Sequence, residues 1–116
     1  MSKPTQSQIA MLYIKAFGEK DLSSLETMFA DNVILIDWDG MLVGKENVLA
    51  FNQTLFSQLG NIRIDIDKVA QGHNTVILEI KVILDKTTEI PVVDVIDFDQ
   101  DNKIKEIRAY KRWKNL

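Results

Sequence analysis

Three polar side chains, Tyr13, Asp37 and Asp94, stand where the surrounding pattern calls for apolar residues, and together they could move a proton beside a carbonyl group. Asp94 is the clearest misfit. It interrupts the alternating row Ile90, Val92, Ile96 and Phe98, which has the composition of a core-facing strand. A carboxyl group in apolar surroundings is costly to ionise, so burial favours its neutral form, which donates a hydrogen bond. The neighbouring row holds Val93 and Val95, so both faces of this strand are apolar and the phase stays open from sequence alone. Asp37 closes a β-branched run on the face shared with Val33 and Leu35. At a strand end beside a pocket mouth it could act as a base, or it could simply shape the Asp39-Gly40 turn. Tyr13 falls on the apolar side of a helix, where a tyrosine either packs or presents its hydroxyl to a cavity. A phenol and a neutral carboxylic acid together can stabilise a developing oxyanion while a separate carboxylate takes the proton.

The elements that would position these groups can be read from periodicity. Ile9, Leu12, Tyr13, Ala16 and Phe17 repeat as one face of a helix expected over Gln6 to Glu19, with Thr5 and Gln8 as a capping box. Asp21 caps a second helix lined by Leu22, Leu25, Met28 and Phe29, with a stop expected at Ala30-Asp31-Asn32. A strand over Val33 to Asp37, a turn at Asp39-Gly40 and a short return through Met41 to Val43 follow. Gly44 then precedes a third helix, about Lys45 to Leu59. Beyond Asn61 the period becomes two, with Ile62, Ile64 and Ile66 in one row and Val76 to Leu84 as a long strand. The strand bearing Asp94 and a last strand over Ile104 to Trp113 complete the chain. Helices first and antiparallel strands after them define an α+β class. The expected architecture is a cone: a strongly curved, antiparallel (mixed) sheet with about three N-terminal helices on its concave face, apolar inside and open at one end.

Composition narrows the function. With 116 residues the chain reads as a single domain, 1–116, able to bury a core without staples. It has no cysteine, so disulfides and thiolate metal sites are excluded. The run Asp97, Asp99, Asp101, Asn102 resembles the start of a calcium loop, but Asn102 stands where glycine is needed and Arg108 where glutamate is needed. His73 lies in a Gly-His-Asn turn with no second ligand near it in sequence. No cofactor or metal is therefore expected. A net charge of −3 argues against nucleic acid as a partner. The basic, aromatic end KIKEIRAYKRWKNL reads as a solvated strand face and tail. No apolar run reaches the roughly 20 residues that span a bilayer, and no signal-peptide core is present, so no membrane partner is expected and the cytoplasm is the expected location.

The stretches YIKAFGEKDLSSLETMFADNVILID, GKENVLAF and VVDVIDFDQDNKIKEIRAY resemble the nuclear transport factor 2-like superfamily, in its SnoaL-like and ketosteroid isomerase-like branch. The resemblance covers nearly the whole chain. It implies the cone-shaped fold, a small-molecule ligand, and a homodimer formed through the outer sheet face. It places the oxyanion-hole tyrosine on Tyr13, the catalytic base on Asp37 and the protonated aspartate on Asp94. Trp38, Phe17, Phe29, Asn52, Phe56 and Val92 are the expected substrate-binding wall. In isomerases the base is commonly followed by proline, here Trp38, and supporting tyrosines are replaced by Phe29 and Asn52. The expected activity is a cofactor-independent proton transfer of the isomerase, cyclase or dehydratase type. The competing reading is a non-catalytic ligand-binding or dimerising module.

Overall fold

In the computed structural model, which describes residues 3–112, three helices pack on one six-stranded mixed sheet. The elements run α1 (Gln6–Gly18), α2 (Leu22–Met28), β1 (Phe29–Asp37), β2 (Gly40–Val43), α3 (Lys45–Gln58), β3 (Ile62–Gln71), β4 (Thr75–Leu84), β5 (Thr88–Phe98) and β6 (Ile104–Lys111). In the sheet they lie in the order β2-β1-β6-β5-β4-β3. Only β1 and β6 pair in parallel; the other neighbours are antiparallel. Trp113, placed at the end of the last strand by the sequence pattern, lies outside the described residues.

Local chemistry sets the helix starts. Thr5 accepts from the Gln8 N–H while the Gln8 side chain accepts from the Thr5 N–H, so the capping box forms as expected. The Asp21 carboxylate accepts from the Ser24 N–H and from the Ser23 and Ser24 hydroxyls at the head of α2. Helix α3 has no side-chain cap. Gly44 begins it at φ 96°, a left-handed value that favours glycine, and donates its N–H to the Val33 carbonyl at 2.7 Å.

Two boundaries differ from the sequence expectation. Helix α2 ends at Met28 rather than near Asn32, and Phe29 is already extended, beginning β1. Tertiary pairing overrides helical continuation here, because Phe29 pairs with Ile104 of β6 and is almost wholly buried. In β3 the pairing slips between Ile66 and Lys68: Ile66 still pairs with the buried Ile80, and beyond the slip Val69, rather than Lys68, pairs with the buried Leu78 and packs against the core. A bulge of this kind bends the strand and adds curvature to the sheet.

The core lies between helices and sheet. Leu25, Phe29, Val33, Leu78, Ile96, Phe98 and Ile107 are its most enclosed members. Ile96 sits in the middle of β5, paired with Val76 on one side and Ile107 on the other, and is fully enclosed. Ile96→Ala removes apolar volume at a site held on both flanks by the sheet, so little collapse is open to it. The expected cost is about 2–5 kcal/mol, read as a lowered urea midpoint with an unchanged slope.

Candidate functional site

A cavity of about 180 Å³ opens between the helices and the concave side of the sheet. Tyr13, Ile14 and Phe17 of α1 form one wall, and Phe51, Asn52 and Leu55 of α3 form another. The sheet contributes Leu35, Ile64, Ile80, Val82, Val92 and Ile107, with Asp94 among them. Asp37, Trp38 and Asp39 come from the β1–β2 turn.

Asp94 is 7% exposed and shares its strand row with the buried Val92, Ile96 and Phe98, which resolves the strand phase. Burial alone pushes its carboxyl up from 3.8 to about 7. Among the described residues no arginine or lysine compensates: β5–β6 pairing sets Asp94 beside Ala109, while Arg108 pairs with Val95 and faces the other way. There Arg108 binds Asp97 at 2.6 Å and also bonds Glu106, and Thr75 donates to Asp97 at 2.8 Å.

The ring of Tyr13 is nearly buried, 6.2 Å from both Phe17 and Phe29. Burial, and then the charge of Asp94, push its phenol well above the ordinary tyrosine range, so its proton is firmly held. Asn52, 2% exposed, adds an amide to the same cavity. Tyr13 and Asn52, and Asp94 when protonated, thus bring three donors to a wall whose other members, apart from Asp37 and Asp39, are mostly apolar.

Asp37 is different in kind. Its Oδ1 accepts from the Asp39 N–H at 2.8 Å and the Gly40 N–H at 3.2 Å, holding the two-residue Trp38-Asp39 hairpin turn. The residue thus lines the cavity and shapes the turn at once. Trp38 beside it is about half exposed, with the Lys111 ammonium 4.4 Å from its ring centre. That contact is worth about 0.5–1 kcal/mol at an exposed site and steadies the rim.

Of the residues expected along the wall, Phe17, Trp38, Asn52 and Val92 line the cavity with the polar trio. Phe29 and Phe56 do not: both are buried in the core behind it. Phe56 meets Phe17 edge-on at 5.0 Å and Phe29 meets Tyr13, so they brace the lining residues from the far side. Helical spacing put both on the apolar face but could not separate its cavity side from its core side. Asp39, which had read as a turn residue only, also reaches the cavity. The Lys111–Trp38 contact joins two distant exposed residues and left no pattern in the sequence.

Among the described residues no cluster of His, Cys, Asp or Glu could hold a metal, and no helix is long and apolar enough to cross a membrane. The acidic turn after β5 is a hairpin in which Asp99 accepts from the Asp101 and Lys103 N–H groups, both at 2.9 Å.

Three helices on a curved, unclosed mixed sheet, with a pocket between the layers, define the nuclear transport factor 2-like α+β fold. The chain belongs to the SnoaL-like domain family, whose sequence pattern matches residues 11–107. No curated protein matches it in sequence. Among solved structures it is similar to a protein assigned as a ketosteroid isomerase from Kribbella flavida, at TM-score 0.83 and 12% identity over 96% of this chain and 80% of that one. A protein assigned as a SnoaL-like polyketide cyclase from Shewanella putrefaciens superposes at 0.83, with 17% identity over 95% and 81% of the two chains. An LEH-like epoxide hydrolase from M. tuberculosis superposes at 0.80, with 14% identity over 92% and 82%. At such identities the likeness is one of fold.

The sign of the Asp94 effect on stability follows from its raised folded-state value. The folded protein binds this proton more tightly than the unfolded chain, so the Asp94 contribution to stability is fullest below about pH 3.8 and is lost as the pH rises to about 7. At roughly 1.4 kcal/mol per pH unit, that interval is on the order of 4 kcal/mol. Urea midpoints across this range should decline more steeply for wild type than for Asp94→Asn; parallel curves would show a solvated carboxyl.

Proposed function

We propose that this protein is a cofactor-independent proton-transfer enzyme of the isomerase, cyclase or dehydratase type, acting on a small carbonyl compound held in the apolar pocket. The observation that carries the reading is the buried Asp94 carboxyl beside Tyr13 on a cavity wall, with no compensating cation among the described residues. Tyr13 and Asp94 donate to the carbonyl oxygen and stabilise the negative charge that develops there as the adjacent C–H bond breaks. Asp37 takes that proton and returns it to another carbon or releases it with a leaving group. Apolar walls keep water from competing for the donors. The isomerase and cyclase assignments carried by similar folds are consistent with this chemistry.

One observation favours the alternative, a ligand-binding module. Asp37 already spends one oxygen on two backbone N–H groups, as a purely structural turn aspartate would. Deuterium exchange at the α-carbons of 2-cyclohexenone, followed by NMR in heavy water, separates the two. The enzyme should accelerate exchange, and Asp37→Asn should slow it by roughly 10²–10⁴-fold, the usual contribution of a positioned base. Tyr13→Phe should cost roughly 10²–10³-fold, as for loss of one oxyanion donor. Exchange untouched by Asp37→Asn removes the catalytic reading and leaves the binding module.

We also propose a homodimer through the outer sheet face. Ile77, Val95, Arg108 and Ile36 lie in register across four strands on that side, with Met41 next on β2. Ile77, Met41, Val43 and Tyr110 are exposed there beside the Arg108, Asp97 and Glu106 cluster, a mixed apolar and polar face such as interfaces use. Sedimentation at micromolar concentration should show a dimer in wild type and a monomer in Ile77→Asp; a wild-type monomer overturns the assembly.

A further inference from the structure

We propose that the Phe51 ring divides one longer cleft into two chambers and so restricts the inner chamber to a single-ring ligand that carries one oxygen acceptor. This rests on the reading of the inner chamber as the ligand site.

Two cavities of about 180 Å³ each lie side by side, and Leu35, Asp37, Asp39 and Phe51 belong to the walls of both. The inner one runs to Tyr13, Asn52 and Asp94; the outer one is bounded by Gly40, Met41 and Leu42 of β2. Of the four shared residues, Leu35 and Asp37 are fixed by β-pairing and Asp39 sits in the hairpin turn. Phe51 is the only aromatic one. It projects from α3 and is half-buried, so shortening it opens the partition without disturbing the sheet.

Volume sets the size of ligand that the inner chamber can enclose. An apolar cavity of roughly 150 Å³ holds one benzene ring, whereas drug-sized ligands occupy sites of roughly 300 Å³ and more. At about 180 Å³ the inner chamber belongs with the first. Polarity fixes the ligand's orientation. Tyr13, Asn52 and Asp94 can all donate, while Phe17, Leu55 and Phe51 offer only apolar contact, so the oxygen faces the former and the ring lies against the latter.

The test is calorimetric titration of the whole chain with phenol and 2-naphthol, which differ by one fused ring. Wild type should bind phenol and take 2-naphthol at least tenfold more weakly. Phe51→Ala should join the chambers and tighten 2-naphthol at least tenfold without tightening phenol. Phe51→Val opens the same wall with a smaller loss of packing, and Phe51→Leu should retain the wild-type order. Equal wild-type affinity for the two probes, absence of phenol binding, or a 2-naphthol affinity unmoved by both Phe51→Ala and Phe51→Val each overturn the partition. The proton-transfer reading fails separately: Asp37-independent exchange with the ring-size order intact removes catalysis alone, and Asp37-dependent exchange with equal probe affinities removes the partition alone.

Discussion

The site depends on one unfavourable event, the enclosure of the Asp94 carboxyl in an apolar layer without a cation beside it. An ion pair there would hold Asp94 ionised, acceptor-only and useless as a donor. What prevents the pair is strand register. Arg108 is only one residue from Ala109, the partner of Asp94, and a one-residue slip of β6 would turn its guanidinium inward. On the outer face Arg108 is instead engaged by Asp97 and Glu106, and Asp97 is held further by Thr75 of β4. Although burial opposes ionisation of Asp97, its hydrogen bonds to Arg108 and Thr75 outweigh it and keep that carboxyl low. Two aspartates three residues apart on one strand thus meet opposite surroundings. The register that pairs Arg108 with Val95 puts the charged cluster on the outer face and leaves Asp94 among apolar side chains, where burial favours its protonated form.

The aromatic residues give that carboxyl its dry surroundings. Tyr13 contacts Phe17 and Phe29, and Phe17 contacts Phe56, so the rings form a chain from the cavity wall into the core. Phe29 and Phe56 therefore act at one remove, by fixing the rings that do reach the cavity. The early end of α2 belongs to the same arrangement. By leaving the helix at Phe29 the chain puts that ring on β1, against Ile104, where it can brace Tyr13.

Much of this was legible in the sequence because it follows from periodicity. The apolar stripe through Tyr13, the capping box at Thr5 and the alternation from Asn61 onward gave the layers and their order. Asp94 stood out as a polar residue in an apolar row, and its burial follows once the row's direction is known. What could not be read depends on three-dimensional neighbours. The end of α2 was decided by the pairing of Phe29 with Ile104 of β6, far along the chain. The bulge after Ile66 breaks an alternation that looked regular. Which of Phe51 and Phe56 meets the cavity depends on the roll of α3 over the sheet, and an apolar face this broad does not encode that roll.

Asp37 shows how far residue type alone can carry a functional argument. The same carboxylate at the same strand end can serve a turn or a substrate, and here its geometry admits both. Its two backbone bonds fix one side-chain orientation, so a ligand arriving at the cavity would meet a group that has already lost its rotamer freedom. Preorganisation of that kind benefits a base, which must stand at a fixed distance from one carbon, more than it benefits a binding contact that can adjust. In the proposed reaction the turn would supply positioning and Asp94 electrostatics. They come from opposite ends of the sequence, and the parallel β1–β6 pairing and the antiparallel β5–β6 pairing bring both to one cavity.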